Sequence, residues 1–271
     1  AGIPIGKVLA TGFGYRWPFL MFAITMGLAT ALIWRYVPRP DVQLDDQRLT
    51  PRRFVEKYKS VLRGSDVVVA VSAYFLMFSG FGLFTSFLPS WLETTIGVSS
   101  YGIALLFAIG GTGNILAAPA GGRLSDEIGR KPIVVWGSMA LGLLMAVAPF
   151  YISGFTMAAV LFFLAMVTVG VRVSPLQSLL TALVPDQERG LLMGLAMSIG
   201  QAGFGFGSFV ASITYGPYGY VSNSVVGAAA MVLMAILVHV GITEPHLHSS
   251  SDESPPPAAP SPESPSVAEA P

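Results

Sequence analysis

The fold is decided by GGRLSDEIGRKP, residues 121–132, a short charged segment between two long apolar runs. The run before it covers residues 101–121 and the run after it covers residues 133–152. A helix of about 20 apolar residues crosses the roughly 30 Å hydrocarbon core of a membrane. The pattern therefore predicts two transmembrane helices joined by a compact polar turn.

Apolar runs of similar length recur along the whole chain. Those long enough to cross a membrane are residues 17–37, 67–92, 101–121, 133–152, 155–184, 191–215 and 220–242. Residues 1–12 have the character of the last turns of a further, truncated helix. No alternation of period two competes with a helical interpretation. The sequence predicts an all-α, polytopic transmembrane helical bundle with about seven full helices and one truncated helix.

The composition excludes several classes of protein. Hydrophobic residues make up 53% of the chain, charged residues 11%, and the mean hydropathy is +0.65, whereas soluble domains carry about 25% charged residues. The formal net charge is zero, which gives no support for nucleic-acid binding. There is no cysteine, and the three histidines, His239, His246 and His248, lie near or beyond the last run. We therefore expect no enzyme activity, no metal site and no cofactor.

Basic residues fall on alternate loops. Nearly all lie within residues 35–63, within residues 123–131 or at Arg189, and the other side holds only Arg16. Short loops rich in lysine and arginine stay in the cytoplasm. The distribution predicts a multi-pass protein of the plasma (inner) membrane with a cytoplasmic C-terminal tail.

The charged segment also carries a recognisable spacing. It resembles the G-x-L-[AS]-D-x-x-G-R-[RK] loop signature of the major facilitator superfamily, with these positions in register: Gly122, Leu124, Ser125, Asp126, Gly129, Arg130 and Lys131. Residues 14–19 resemble the external turn before the family's sixth helix, and residues 184–190 resemble the turn before its eleventh. The resemblance implies an alternating-access transporter of twelve helices in two halves, with the substrate between the halves.

This resemblance also implies a domain organisation, with only part of the family fold present. Residues 1–37 would end the N-terminal transmembrane half, residues 38–66 would form a cytoplasmic loop, and residues 67–245 would form the C-terminal six-helix half. Residues 246–271 are rich in proline and serine and are expected to be disordered. Within the loop, a basic amphipathic helix would either lie on the membrane surface or act as a solvated linker.

The signature loop is expected to act as a gating latch at the cytoplasmic face. Its expected members are Gly122, Asp126, Gly129, Arg130, Lys131 and, from the later turn, Arg189. Glycine permits a tight turn at Gly122 and Gly129. The carboxylate of Asp126 could interact with the positive N-terminus of a neighbouring helix, and Arg130 could form a bidentate pair with a carboxylate. The alternative is that Asp126 and Arg130 only cap helices and anchor the loop.

Arg172 is the clearest candidate for the transport site. It lies roughly a dozen residues, or about 18 Å, from the Pro185 end of its helix, where a charge is costly unless it faces a cavity or a partner. It would contact either an anionic substrate group or a coupling carboxylate. The alternative is a guanidinium satisfied by carbonyl groups freed at Pro175. A polar stripe that includes Gln177 lies on roughly the opposite face.

Further polar and aromatic side chains in apolar runs are candidates for the cavity lining. Lys7 lies in the truncated helix, and Ser198 and Gln201 lie on one polar face of the run 191–215. An aromatic pair could stack on an amphipathic ligand. The set of cavity candidates is Arg172, Gln201, Lys7, Tyr74, Phe78, Asn114, Gln177 and Ser198. Small-residue packing and ordinary aromatic packing are the alternatives.

Together with these features, the resemblance implies a secondary active transporter of small molecules in which an ion gradient drives the export of a drug-like or metabolite substrate. An uptake symporter of the same family, or a non-transporting membrane scaffold or channel, is the alternative. The expected partners are a small-molecule substrate, a coupling proton or other ion, the lipid bilayer and the missing N-terminal half. No nucleic acid is expected.

Overall fold

The structure is a computed structural model that describes residues 14–37, 56, 58–60 and 62–242. Every regular element in this part of the chain is an α-helix. The helices of these ranges are α1 (Arg16–Tyr36), α2 (Ser65–Ser86), α3 (Leu88–Thr94), α4 (Ser100–Ile128), α5 (Arg130–Tyr151), α6 (Phe155–Ala182) and α7 (Asp186–Gly241). The predicted all-α architecture is confirmed.

Six stretches of helix in the described ranges are long and apolar enough to cross a membrane. They are α1, α2 together with α3, α4, α5, α6 and α7, and their mean hydropathies lie between 1.6 and 2.2. Hydrocarbon offers no hydrogen-bond partner to an open backbone group, so a crossing segment must pair its own amides and carbonyls as a helix. The apolar runs therefore fold as helices.

The last helix contains a sharp break. The sequence predicts separate helices at residues 191–215 and 220–242, whereas α7 is continuous except at Gly219, where φ is 70° and ψ is −173°. Only glycine adopts this backbone conformation without strain. The break divides α7 into a first arm, residues 186–218, and a second arm, residues 220–241.

Both arms of α7 pack against α2, in opposite directions. In the first arm, Gly203 lies against Phe75 and Gly207 lies against Ser79, so this arm runs parallel to α2. In the second arm, Gly227 lies against Gly80 and Gly241 lies against Val69, so it runs antiparallel to α2. The two arms therefore cross the bundle as a hairpin, which accounts for the seventh predicted run.

The bundle core consists of two apolar clusters, one at each end. One cluster joins the start of α2 to the end of α6 and the outer parts of both α7 arms, and we call it the basic-end cluster because the flanking segments carry Arg63, Arg130 and Arg189. The other joins the end of α2 with α3 and the far halves of α4, α5 and α6. Buried Arg172 of α6 and Ser138 of α5 belong to neither cluster and lie between them along their helices, and we call this pair the polar layer.

Two helix boundaries differ from the prediction. The apolar run 101–121 ends where charges begin, but α4 continues to Ile128 because helical hydrogen bonding persists after the chain leaves hydrocarbon. The run 67–92 is interrupted at Phe87, after which α3 starts with Pro89 in its first turn, a position that suits proline.

Helix α1 differs from the others in that none of its residues is buried. Several predictions lie outside the described residues: the truncated helix with Lys7, most of the basic amphipathic helix, and the tail 246–271. The domain boundaries at 37, 66 and 245 remain predictions.

Candidate functional site

The corner between α4 and α5 consists of one residue. Gly129 has φ 103° and ψ 152° and separates the two helices. The expected turn at Gly122 is wrong, because Gly122 lies within α4, where a Cβ would meet only the Ser174 hydroxyl at 3.7 Å. The charged segment is therefore mostly helical.

Replacing Gly129 by alanine is expected to lower the stability of the protein by about 1–3 kcal/mol, because this region of φ and ψ is essentially restricted to glycine. Gly122→Ala provides the matched control within the same segment. It should be neutral or stabilising by up to about 1 kcal/mol, as for any glycine in a helix interior. Thermal unfolding in detergent would measure both. Equal melting temperatures would contradict the corner geometry.

Three basic residues cap helix C-termini at the basic end of the bundle. Arg189 Nε donates to Thr181 O over 3.1 Å, and Arg130 Nη1 approaches Ser178 O at 3.5 Å, both on the last turns of α6. Lys131 Nζ donates to Ile242 O over 2.6 Å at the end of α7. Carbonyls at helix C-termini lack helical partners and carry partial negative charge. These contacts hold the ends of α5, α6 and α7 together.

Asp126, one of the two acidic residues of the segment, makes no comparable contact within the described ranges. Asp126 is exposed, and among the described residues it accepts no hydrogen bond, so the expected contact with a helix N-terminus is not seen there. Arg189 forms an ion pair with Asp186 of its own helix at 2.9 Å. The capping geometry agrees with the anchoring alternative for Arg130 but not for Asp126, and a gating role for these residues remains a prediction.

Arg172 lies inside the six-helix bundle, between the two apolar clusters. It is 1% exposed, and its Nη1 donates to the Ser138 hydroxyl over 3.1 Å. The other contacts of Nη1 are with the sulfur atoms of Met231 and Met234, at 3.4 and 3.6 Å, which are weak acceptors. Nε has no partner. Within the described ranges, neither a carboxylate nor a backbone carbonyl accepts from this guanidinium.

The stripe opposite Arg172, which consists of Gly170, Ser174, Gln177 and Thr181, packs partly against α4. Gly170 lies against the Asn114 carbonyl, and a Cβ on Gly122 would lie 3.7 Å from the Ser174 hydroxyl. Asn114 Nδ2 donates to Met166 O over 3.2 Å. Asn114 therefore joins α4 to α6 in this conformation.

Tyr74, Phe78 and Gln177 meet between α2 and α6. Tyr74 is 2% exposed, its hydroxyl lies beside the side chain of Gln177, and its ring stacks on that of Phe78 with centroids 6.1 Å apart. Phe78 in turn covers Gly200 of the first arm of α7. The structure thus brings three of the predicted residues together. In this conformation the rings of Tyr74 and Phe78 stack on each other.

The first arm of α7 exposes a polar face. Ser198 and Gln201 are both exposed, and Ser198 donates to the Gly194 carbonyl of its own helix over 2.8 Å. Further along, the hydroxyls of Ser208 and Ser86 of α2 are 2.7 Å apart. This polar face of α7 thus extends onto the end of α2.

Sequence reasoning missed several buried polar residues, of which Ser138 and Asn223 make contacts that bear on the site and on the break in α7. Ser138 is the only serine or threonine of α5 and contacts Arg172, and a lone hydroxyl in an apolar run is the signal that could have found it. Asn223 is fully buried, and its Oδ1 accepts from Thr214 over 2.6 Å across the break in α7. Ser138 belongs to the polar layer, whereas Asn223 ties the hairpin together.

Comparison with known proteins finds similarity to a family of membrane transporters. A sequence model of the Major Facilitator Superfamily matches residues 1–111 and 70–268. The chain is 28% identical to the uncharacterized MFS-type transporter YceJ of Bacillus subtilis over 218 residues, covering 79% of this chain and 53% of that protein. It is 29% identical to the ectoine/proline transporter ProP of Corynebacterium glutamicum over 220 residues, covering 74% and 42%.

A more distant relative is the quinolone resistance protein NorA of Staphylococcus aureus, 24% identical over 172 residues, covering 61% of this chain and 43% of that protein. The chain thus spans about half the length of the curated relatives it matches. Their names describe transport or resistance and agree with the prediction that the chain is not an enzyme.

Proposed function

Because the chain belongs to the major facilitator superfamily, we propose that it forms the C-terminal half of a secondary active transporter that works by alternating access. Transporters of this family place the substrate between two six-helix halves, near the middle of the membrane. In this proposal α2 to α7 form one half. A second half faces the exposed polar side of the first arm of α7.

The observation that carries the proposal is the position of Gln201. It lies 15 residues after Asp186, about 22 Å along the arm and near its midpoint, and it is exposed. A carboxamide that faces lipid without a partner costs several kcal/mol, roughly as any unpaired polar group does in hydrocarbon. The face that carries Gln201 is therefore suited to water, substrate or another part of the protein.

Neighbouring groups extend this surface. Ser198 lies about one turn before Gln201, and the Ser208–Ser86 pair lies about two turns after it. The Tyr74–Phe78–Gln177 cluster lies deeper, between α2 and α6. We assign these residues to the half-cavity of this chain, with Tyr74 and Phe78 offering aromatic surface after the cluster opens.

We propose that the transporter exports an amphipathic, drug-like molecule and that an ion gradient drives this export. The aromatic cluster and the similarity to a quinolone resistance protein support it. Uptake of a zwitterionic solute is the second candidate, which the similarity to an ectoine/proline transporter favours. In the described ranges, the acids nearest the membrane are Asp66 and Glu93, both near helix ends, so we place the coupling acid in the other half.

Transport assays in proteoliposomes containing the complete protein separate these possibilities. Export predicts that an imposed proton gradient drives movement of a fluoroquinolone and that a protonophore stops it. Uptake predicts gradient-driven accumulation of proline instead. A flux that continues unchanged after all ion gradients are collapsed would indicate a channel and contradict the proposal.

Gln201→Leu is expected to reduce the transport rate about fivefold, since it removes a hydrogen-bonding group worth about 1 kcal/mol from the proposed cavity. Membrane insertion and melting temperature should not fall, because leucine at an exposed helix position is well tolerated. Gln187→Leu makes the same chemical change at an exposed position at the start of the arm and should leave transport unchanged. Equal rates for the two variants would remove Gln201 from the cavity.

A further inference from the structure

An open groove lies between the start of α5 and the end of the second arm of α7. Its volume is about 480 Å³, within the range of about 300–1,000 Å³ typical of small-molecule sites. Its walls include Val135, Trp136, Met139 and Ile236, and its two basic side chains are Lys131 and His239. None of these residues belongs to the polar face that carries Gln201.

Apolar side chains line the inner part of the groove, and basic side chains line its opening. Lys131 is the second residue of α5, and Val135 and Met139 follow it at intervals of four residues, on the same helix face and about 6 and 12 Å deeper. On the opposite wall His239 lies two residues before the end of α7, with Ile236 one turn deeper. An occupant of matching chemistry has an anionic head and an apolar chain.

The groove is open on the surface of the bundle. Trp136 is 73% exposed and Ile236 is 53% exposed, so both side chains are accessible to the surrounding bilayer. Lys131 is held at the mouth by the bond from its Nζ to Ile242 O, which fixes a positive charge between two helix ends. Basic pockets between transmembrane helices on the cytoplasmic side are suited to anionic lipid headgroups.

We infer that this groove binds a phospholipid of net negative charge, with its headgroup at Lys131 and His239 and an acyl chain along Val135, Met139 and Ile236. Such a lipid would act as a fixed component between α5 and α7, on the outer side of the bundle. The inference does not depend on what the protein transports.

Tryptophan quenching by brominated lipids tests this site. The full chain is placed in nanodiscs of phosphatidylcholine that contain a small fraction of brominated phosphatidylglycerol or, in parallel, brominated phosphatidylcholine. The signal of Trp136 is the difference between the wild type and Trp136→Phe. We expect brominated phosphatidylglycerol to quench Trp136 at a severalfold lower fraction than brominated phosphatidylcholine does.

Two charge variants distinguish a site from a general surface effect. Lys131→Gln should lower the preference for phosphatidylglycerol about fivefold, the effect of one basic residue near a membrane surface, and Lys131→Arg should retain it. Arg123→Gln removes an exposed charge at the same end but outside the groove and should leave the preference unchanged. Thermal unfolding in detergent verifies that each variant is folded.

Three results would overturn the inference. The first is equal quenching of wild-type Trp136 by the two lipids, which needs no variant. The second is an equal loss of preference in Lys131→Gln and Arg123→Gln, which would indicate surface potential alone. The third is an absence of quenching by either lipid, which would mean that another protein surface covers the groove.

Discussion

Gly121→Ala is expected to reduce the yield of folded protein severalfold and to lower its melting temperature. A Cβ at this position would overlap the backbone carbonyl of Val171, because α4 and α6 are in direct backbone contact there. Overpacking of a tight site costs about 1–3 kcal/mol and occasionally more. Here the obstacle is backbone, which has no alternative rotamer. Size-exclusion chromatography and thermal unfolding in detergent would measure the effect.

The same helix supplies a matched control for this prediction. A Cβ at Gly111 would meet no atom within 4 Å, so Gly111→Ala should be tolerated. Yield and melting temperature allow a direct comparison of the two variants. The first arm of α7 offers a second pair, because Gly207 lies against the Ser79 carbonyl whereas Gly205 has open space. If Gly121→Ala were as stable as Gly111→Ala, the close packing of α4 on α6 would be contradicted.

Arg172→Met is expected to abolish transport while leaving the folded protein at least as stable as the wild type. The guanidinium is buried, contacts one hydroxyl and two sulfur atoms, and leaves Nε without an acceptor. Replacing buried charges by apolar residues of similar volume is often neutral or stabilising, by about 1–4 kcal/mol. Transport should be lost because the charge of Arg172 favours any second conformation in which the guanidinium gains a better acceptor. Methionine removes that preference.

Flux in proteoliposomes and thermal unfolding, measured on the same preparation, would test this prediction. Met231→Leu alters the same site without changing its charge and should retain transport. Arg172→Lys keeps the charge but loses the planar donor set, so its flux shows whether charge alone suffices. Normal flux in Arg172→Met would exclude a transport role, and loss of folding would indicate a structural one.

Helix positions were predictable because the hydrocarbon core sets their length. The runs at 17–37, 133–152 and 155–184 differ from α1, α5 and α6 by at most a few residues. Polarity was a poor guide to helix ends, since α4 continues past Arg123 and Asp126 to Ile128. For the same reason Gly122 was expected in a turn but lies in a helix.

The contacts of the site residues were much harder to predict. Arg172 was expected to meet a substrate, a carboxylate or freed carbonyl groups, whereas its contacts come from Ser138, Met231 and Met234. These residues are 34 to 62 positions away in the chain, and only the packing of α5 and α7 against α6 brings them together. The periodicity of one helix does not determine which of its neighbours provides a partner.

The break at Gly219 has a consequence for how the protein is made. Residues 190–242 contain no lysine or arginine, so within the described part of α7 only Arg189 provides a basic signal for orientation. During synthesis the two arms would leave the ribosome as one continuous hydrophobic segment. Its helical length is much greater than the thickness of a bilayer. The backbone reversal at Gly219, which the hydrogen bond between Thr214 and Asn223 spans, lets this segment cross the membrane twice.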